Sequence, residues 1–139
     1  MSDASAVVAV VAGHGRFADG LVSAVQQITG RGDAFVAVTN SGKAPAELEG
    51  ELAAHLDRTG ARVVFTDLPA GSCTMAVRRL QRARPDVVLV TGTNLAALME
   101  YLFAAVSPLD TPVAGLAEVG RLARAAADKA RETLAVTGG

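Results

Sequence analysis

The sequence predicts an α/β fold: three layers, with an open, mostly parallel sheet carrying helices on both faces. Three observations lead there. Short Val-rich runs closed by turn residues alternate with amphipathic stretches along the chain. Aromatic residues make up only 4% and Trp is missing, so the core must be built from Ala, Val and Leu, which suits helices packed closely on a sheet better than an aromatic-rich sandwich. At 139 residues, half of them hydrophobic, residues 1–139 are expected to be one domain around one core.

The elements follow in order. Ala6 to Ala12 reads AVVAVVA and stops at Gly13, as expected of a strand buried on both faces. Phe17, Leu21, Val25 and Ile28 form a helical stripe ending before Gly30 and Gly32. Phe35 to Val38 is the second strand, followed by the turn-rich Asn40, Ser41 and Gly42. A second helix begins at Pro45, with Leu48, Leu52 and Leu56 on one face, Glu47, Glu49 and Glu51 near its positive end, and Gly60 after it. Arg62 to Thr66 is the third strand, closed by Asp67. Ser72 is placed at the N-cap of a helix running to about Arg84. Asp86 to Thr91 is the fourth strand. Asn94 opens a fourth helix containing Leu95, Leu98, Leu102 and Phe103, ended by Pro108. The Ala-rich tail from Val113 to Leu134 reads as helix, with Leu134 to Thr137 open between helix and a short edge strand.

Composition excludes several roles. Thirteen Lys plus Arg against 14 Asp plus Glu give a net charge of -1, without the basic footprint of a general nucleic-acid binder. No apolar stretch approaches the roughly 18–20 residues of a membrane span. The lone Cys73 cannot form an intramolecular disulfide, and Met1 to Ala6 carries no cationic leader, so a cytoplasmic protein is expected.

Ligands of open α/β sheets bind beyond the carboxyl ends of strands, where strand order reverses. The polar residues at such ends are Gly13-His14-Gly15, then Asp67 with Ala70-Gly71-Ser72, then Thr91-Gly92-Thr93-Asn94. If the order is 2-1-3-4, strands one and three are neighbours and His14 lies beside Asp67. Flanking glycines leave that histidine uncovered. An acid at one ring nitrogen would fix the tautomer, leave the other nitrogen as nucleophile and balance the charge developing on attack. The Gly71-Ser72 turn adds helix N-terminal amides and a hydroxyl, a cradle for a phosphoryl group.

In these residues the chain resembles the enzyme IIA domains of the mannose class of the bacterial phosphoenolpyruvate-dependent sugar phosphotransferase system. Four ordered anchors carry the likeness over nearly the whole chain: VVAGHGRFADGL, FTDLPAGSCTMA, TGTNLAALMEYL, and AEVGR from Ala117 to Arg121. The resemblance implies that the phosphocarrier HPr phosphorylates His14 on Nε2 while Asp67 holds Nδ1. Ser72 and Gly71 then lie near the phosphoryl group, and an enzyme IIB component receives it. It also implies a 2-1-3-4 sheet with an antiparallel fifth edge strand and a homodimer exchanging C-terminal segments. No metal or organic cofactor is expected. The family's Gly-Gly-Ser-Pro turn is Ala70-Gly71-Ser72-Cys73 here: alanine narrows the allowed backbone range, and the rigid proline is lost.

Other readings stand beside this one. A regulatory phosphoprotein signalling through His14 without feeding a transporter would use the same residues. Gly13 to Ala18 fits the G-x-G-x-x-A dinucleotide pattern, but strand two ends in Thr39-Asn40 rather than an acid. Cys73 and Arg79 have phosphatase-loop spacing without the glycines such a loop needs, and a receiver domain would need acids after strand one. Asn94, Thr91 and Thr93 can be purely structural, Cys73 a small buried residue, His55 a solvated surface residue, and Arg78, Arg79, Arg82 and Arg84 a solvated helix face or a partner contact.

Overall fold

The computed structural model describes residues 7–106 and 116–139. Among the described residues four strands form one parallel sheet: β1 (Ala9–Gly13), β2 (Phe35–Thr39), β3 (Val63–Thr66) and β4 (Val88–Val90), in the order β2-β1-β3-β4. The helices are α1 (Phe17–Thr29), α2 (Pro45–Thr59), α3 (Ser72–Ala83), α4 (Leu95–Ala105) and α5 (Leu116–Arg131).

Alternation along the strands sorts the core into two layers. Ala9 and Val11 of β1, with Phe35, Val63 and Phe65, pack under α1, α4 and α5 through Val25, Leu98, Leu102, Ala123 and Ala126. Val10 and Ala12, with Val38 and Val64, face α2 and α3 through Leu48, Leu52, Leu56, Cys73, Val77 and Leu80. The three α2 leucines are 2% exposed or less, and burial of each stabilises the fold by roughly 1.5–3 kcal/mol. Phe65 meets Tyr101 edge to face, with ring centroids 5.5 Å apart.

Several expectations need adjusting at their ends. Ile28 closes the α1 stripe in sequence but is 60% exposed, and Phe103 of α4 is 62% exposed. β4 keeps only three residues and among the described residues is paired on one side, to β3; its side chains are half-buried where those of β3 are fully buried. Arg62 and Asp86, read as strand residues, lie just outside β3 and β4 and approach each other at 3.9 Å. Leu134 to Thr137 form neither helix nor strand, and Leu134 and Val136 are 86% and 94% exposed. Ala6, Pro108 and residues 113–115 lie outside the described residues.

Candidate functional site

The pairing of β1 with β3 sets Ala12 against Thr66, so the two strands end level and deliver His14 and Asp67 to the same crevice. His14 Nδ1 lies 2.7 Å from Asp67 Oδ2, and the same oxygen accepts the His14 backbone N–H at 2.9 Å. A carboxylate can only accept, so Nδ1 carries the proton, and in the neutral form of the ring Nε2 is the bare nitrogen. The histidine side chain is 49% exposed and that of Asp67 11%.

Burial pushes the Asp67 carboxyl upward. The hydrogen bonds from the His14 ring and backbone outweigh it and hold the group below its ordinary 3.8. A carboxyl depressed on folding adds stability that is complete above the unfolded value and is lost as pH falls through the lower folded one.

Two glycines make this geometry fit, for different reasons. A Cβ on Gly13 would lie 2.6 Å from Phe17 Cδ2 and 3.0 Å from Asp67 Oδ2, so the acid reaches His14 only beneath a residue with no side chain. Gly71 has φ 143°, and a Cβ there would lie 3.2 Å from His14 Cε1. The histidine ring therefore rests against bare backbone. Of the two flanking glycines, Gly15, with open space around it, leaves the histidine uncovered, whereas Gly13 makes room for Phe17 and Asp67.

The start of α3 differs from expectation. Gly71, not Ser72, is the N-cap, and no side chain caps the helix. The non-helical residue is the glycine, at φ 143°, so Ser72 falls in the first helical position. The first helical bond runs from Met75 N to Gly71 O, leaving the N–H groups of Ser72, Cys73 and Thr74 without a helical carbonyl. Ser72 Oγ instead accepts from Asn40 Nδ2 at 2.9 Å. The loop before α3 is pinned from below. Thr74 Oγ1 donates to Leu68 O at 2.6 Å, and the Thr66 hydroxyl reaches Thr74 Oγ1 at 2.6 Å, with both threonines buried.

The remaining singled-out residues lie elsewhere or serve the fold. Asn94 caps α4 by accepting from Ala97 N at 3.0 Å, and its Nδ2 holds Ala130 O and Thr133 Oγ1, each at 3.3 Å. Thr93 is 7% exposed and binds Thr66 O through its N–H. His55 is half-buried rather than solvated, bridging Glu51 at 3.3 Å and Arg58 at 2.8 Å. Arg79 and Arg84 tie α3 to Glu49 and Asp57 of α2, while Arg78 and Arg82 remain exposed. Cys73 is fully buried, and burial, with the nearby Asp67 charge, pushes its thiol up to about 11. On sequence Asn40 is only a turn residue. Its position one residue past β2, beside β1, was the available signal. Among the described residues no three His, Cys, Asp or Glu side chains cluster as a metal site, and no helix is long and apolar enough to cross a membrane.

Fold and site together define a flavodoxin-like α/β protein with an acid-oriented histidine at the reversal of strand order. The chain belongs to the EIIA-man family, described as PTS system fructose IIA component, whose model matches residues 8–113. A phosphotransferase system component EIIA from Streptococcus agalactiae has the same fold, with TM-score 0.72 and 20% identity over 89% of this chain and 94% of that one. A putative phosphoenolpyruvate-dependent sugar phosphotransferase system permease from Klebsiella pneumoniae gives 0.71 and 25%, over 93% and 89%. The mannose/sorbose specific IIA subunit from Enterococcus faecalis gives 0.67 and 23%, over 95% and 97%. No curated protein matches the sequence.

Proposed function

We propose that the chain is a cytoplasmic, single-domain phosphoryl carrier that takes a phosphoryl group from phospho-HPr onto His14 and passes it to an enzyme IIB component, serving sugar uptake and phosphorylation. The observation that carries this reading is the 2.7 Å contact of His14 Nδ1 with Asp67, which leaves Nε2 as the nucleophile beside the uncapped start of α3.

In the transfer step the Nε2 lone pair attacks phosphorus. A nitrogen–phosphorus bond forms while the bond to the donor atom breaks, its electron pair leaving with the donor. The Nδ1 proton stays in its bond to Asp67, whose negative charge offsets the positive charge gained by the ring. The Ser72 and Cys73 N–H groups and the Ser72 hydroxyl stabilise the phosphoryl oxygens, and Gly71 allows their approach. Passing the group on reverses these events with the IIB acceptor as nucleophile. This reading needs no metal or organic cofactor.

We also propose a homodimer. Among the described residues β4 lies at an edge of the sheet with half-buried side chains, and such an edge is a poor surface to leave open to water. The exposed Leu134 and Val136 are apolar residues suited to cover a second copy's edge.

The test is labelling with enzyme I, HPr and phosphoenolpyruvate. The expected product is an acid-labile, base-stable phosphoryl group that is lost in His14→Ala. Label persisting in that variant rejects the assignment.

A further inference from the structure

We propose that Asn40 is a positioning residue for phosphoryl transfer, its side-chain amide holding the Ser72 hydroxyl so that its proton is kept for a phosphoryl oxygen. This rests on His14 being the phosphoacceptor.

Asn40 follows β2, on the opposite side of β1 from Asp67. Its backbone is fixed at both ends: its N–H donates to Gly13 O at 3.2 Å, and its carbonyl accepts the Lys43 N–H at 3.2 Å. The side-chain Nδ2 then donates to Ser72 Oγ at 2.9 Å. One residue thus ties together the backbone just before His14, the β2–α2 loop and the first residue of α3. The loop is braced in turn, since Lys43 Nζ donates to Thr39 O at 2.8 Å and pairs with Glu51.

A hydroxyl has one proton and two lone pairs. Donation from Asn40 fills one lone pair, so the Ser72 proton must point away from Asn40. The Ser72 side chain also interacts with the Cys73 thiol, which burial keeps protonated. A thiol is a weak acceptor, and an anionic phosphoryl oxygen outcompetes it. A carboxylate at position 40 would do the reverse: it would accept the Ser72 proton and place a negative charge beside the incoming group.

Two donors separate positioning from docking: phosphoramidate, too small to dock on a protein surface, and phospho-HPr. Rates of His14 labelling are compared in the wild-type chain, Asn40→Ala, Asn40→Asp, Ser72→Ala and the Asn40→Ala/Ser72→Ala pair, with His14→Ala as the blank. Asn40→Ala and Ser72→Ala are each expected to slow labelling by about tenfold with either donor, the lower end for one hydrogen bond to a charged group. KM for phospho-HPr stays unchanged. The pair is no slower than Ser72→Ala alone, because Asn40 acts through Ser72. The near-isosteric Asn40→Asp is slower than Asn40→Ala and melts close to the wild type. Additive losses, or a loss confined to phospho-HPr with a raised KM, overturn the inference and make Asn40 an independent or docking residue. Wild-type rates in both Asn40 variants also overturn it, leaving the phosphoacceptor reading intact. A wild-type chain that takes no label at His14 from either donor overturns that reading and the inference with it.

Discussion

Two helices begin at the carboxyl ends of neighbouring strands, and they begin in opposite ways. α4 starts at Asn94, whose Oδ1 occupies the Ala97 N–H and whose Nδ2 reaches across to the end of α5. α3 starts at Gly71, which has no side chain to offer, so its first amides stay open beside His14. The contrast shows where the molecule uses a helix N-terminus for cohesion and where it leaves one available to a ligand. A capped start satisfies its own donors. An uncapped start is an anion site in waiting, and it becomes useful only where a nucleophile stands next to it. Here that neighbour is His14.

The largest way to break this comparison is to disable the nucleophile without touching the helix. Asp67→Asn keeps the size of the side chain but no longer dictates which ring nitrogen holds the proton, and it removes the charge that offsets the phosphorylated ring. By analogy with the acid of hydrolase triads, where the same change costs about 10⁴-fold, we expect single-turnover labelling of His14 to fall by at least about 10²-fold with the fold retained. An unchanged rate would make Asp67 a structural residue that merely binds the His14 backbone.

A smaller perturbation acts on the open helix start itself. Gly71→Ala forces an L side chain into φ 143° and brings a Cβ to 3.2 Å from His14 Cε1. Backbone strain of this kind costs roughly 1–3 kcal/mol, and the displaced ring should label roughly tenfold more slowly. Thermal melting and labelling read the two effects separately. A variant that loses stability but keeps its rate would show that the ring tolerates being moved.

Much of the architecture was legible because hydrophobic period and turn chemistry agree. The runs Ala6 to Ala12 and Arg62 to Thr66 became β1 and β3 within a few residues, and the Leu48, Leu52, Leu56 stripe is the buried face of α2. The crevice was legible through topology, since two strands adjacent in the sheet must bring their following residues together. Orientation at the atomic scale was not. On pattern Ser72 is the cap, and only backbone geometry shows that the glycine takes the N-cap position and leaves the serine to Asn40. Nor does periodicity say where a helix outruns the sheet it covers, so Ile28 and Phe103 continue apolar patterns into solvent. Leu134 to Thr137 are open between helix and strand on pattern, and they form neither.

The smallest effect is the sharpest control. Asn94→Ala removes the side-chain acceptor for Ala97 N and the two donations toward α5, so α4 loses its cap and the α4–α5 packing loses a tie. A lost cap costs about 1 kcal/mol, which for a chain of this length lowers Tm by roughly 3–6 °C. The labelling rate at His14 should stay within about twofold of the wild type, because Asn94 touches neither His14, Asp67 nor Ser72. Melting and labelling of this variant, run beside Gly71→Ala, compare the two helix starts directly. If Asn94→Ala slowed labelling as much as Gly71→Ala, the start of α4 would belong to the reacting crevice, and the division between a helix start spent on cohesion and one kept open would fail.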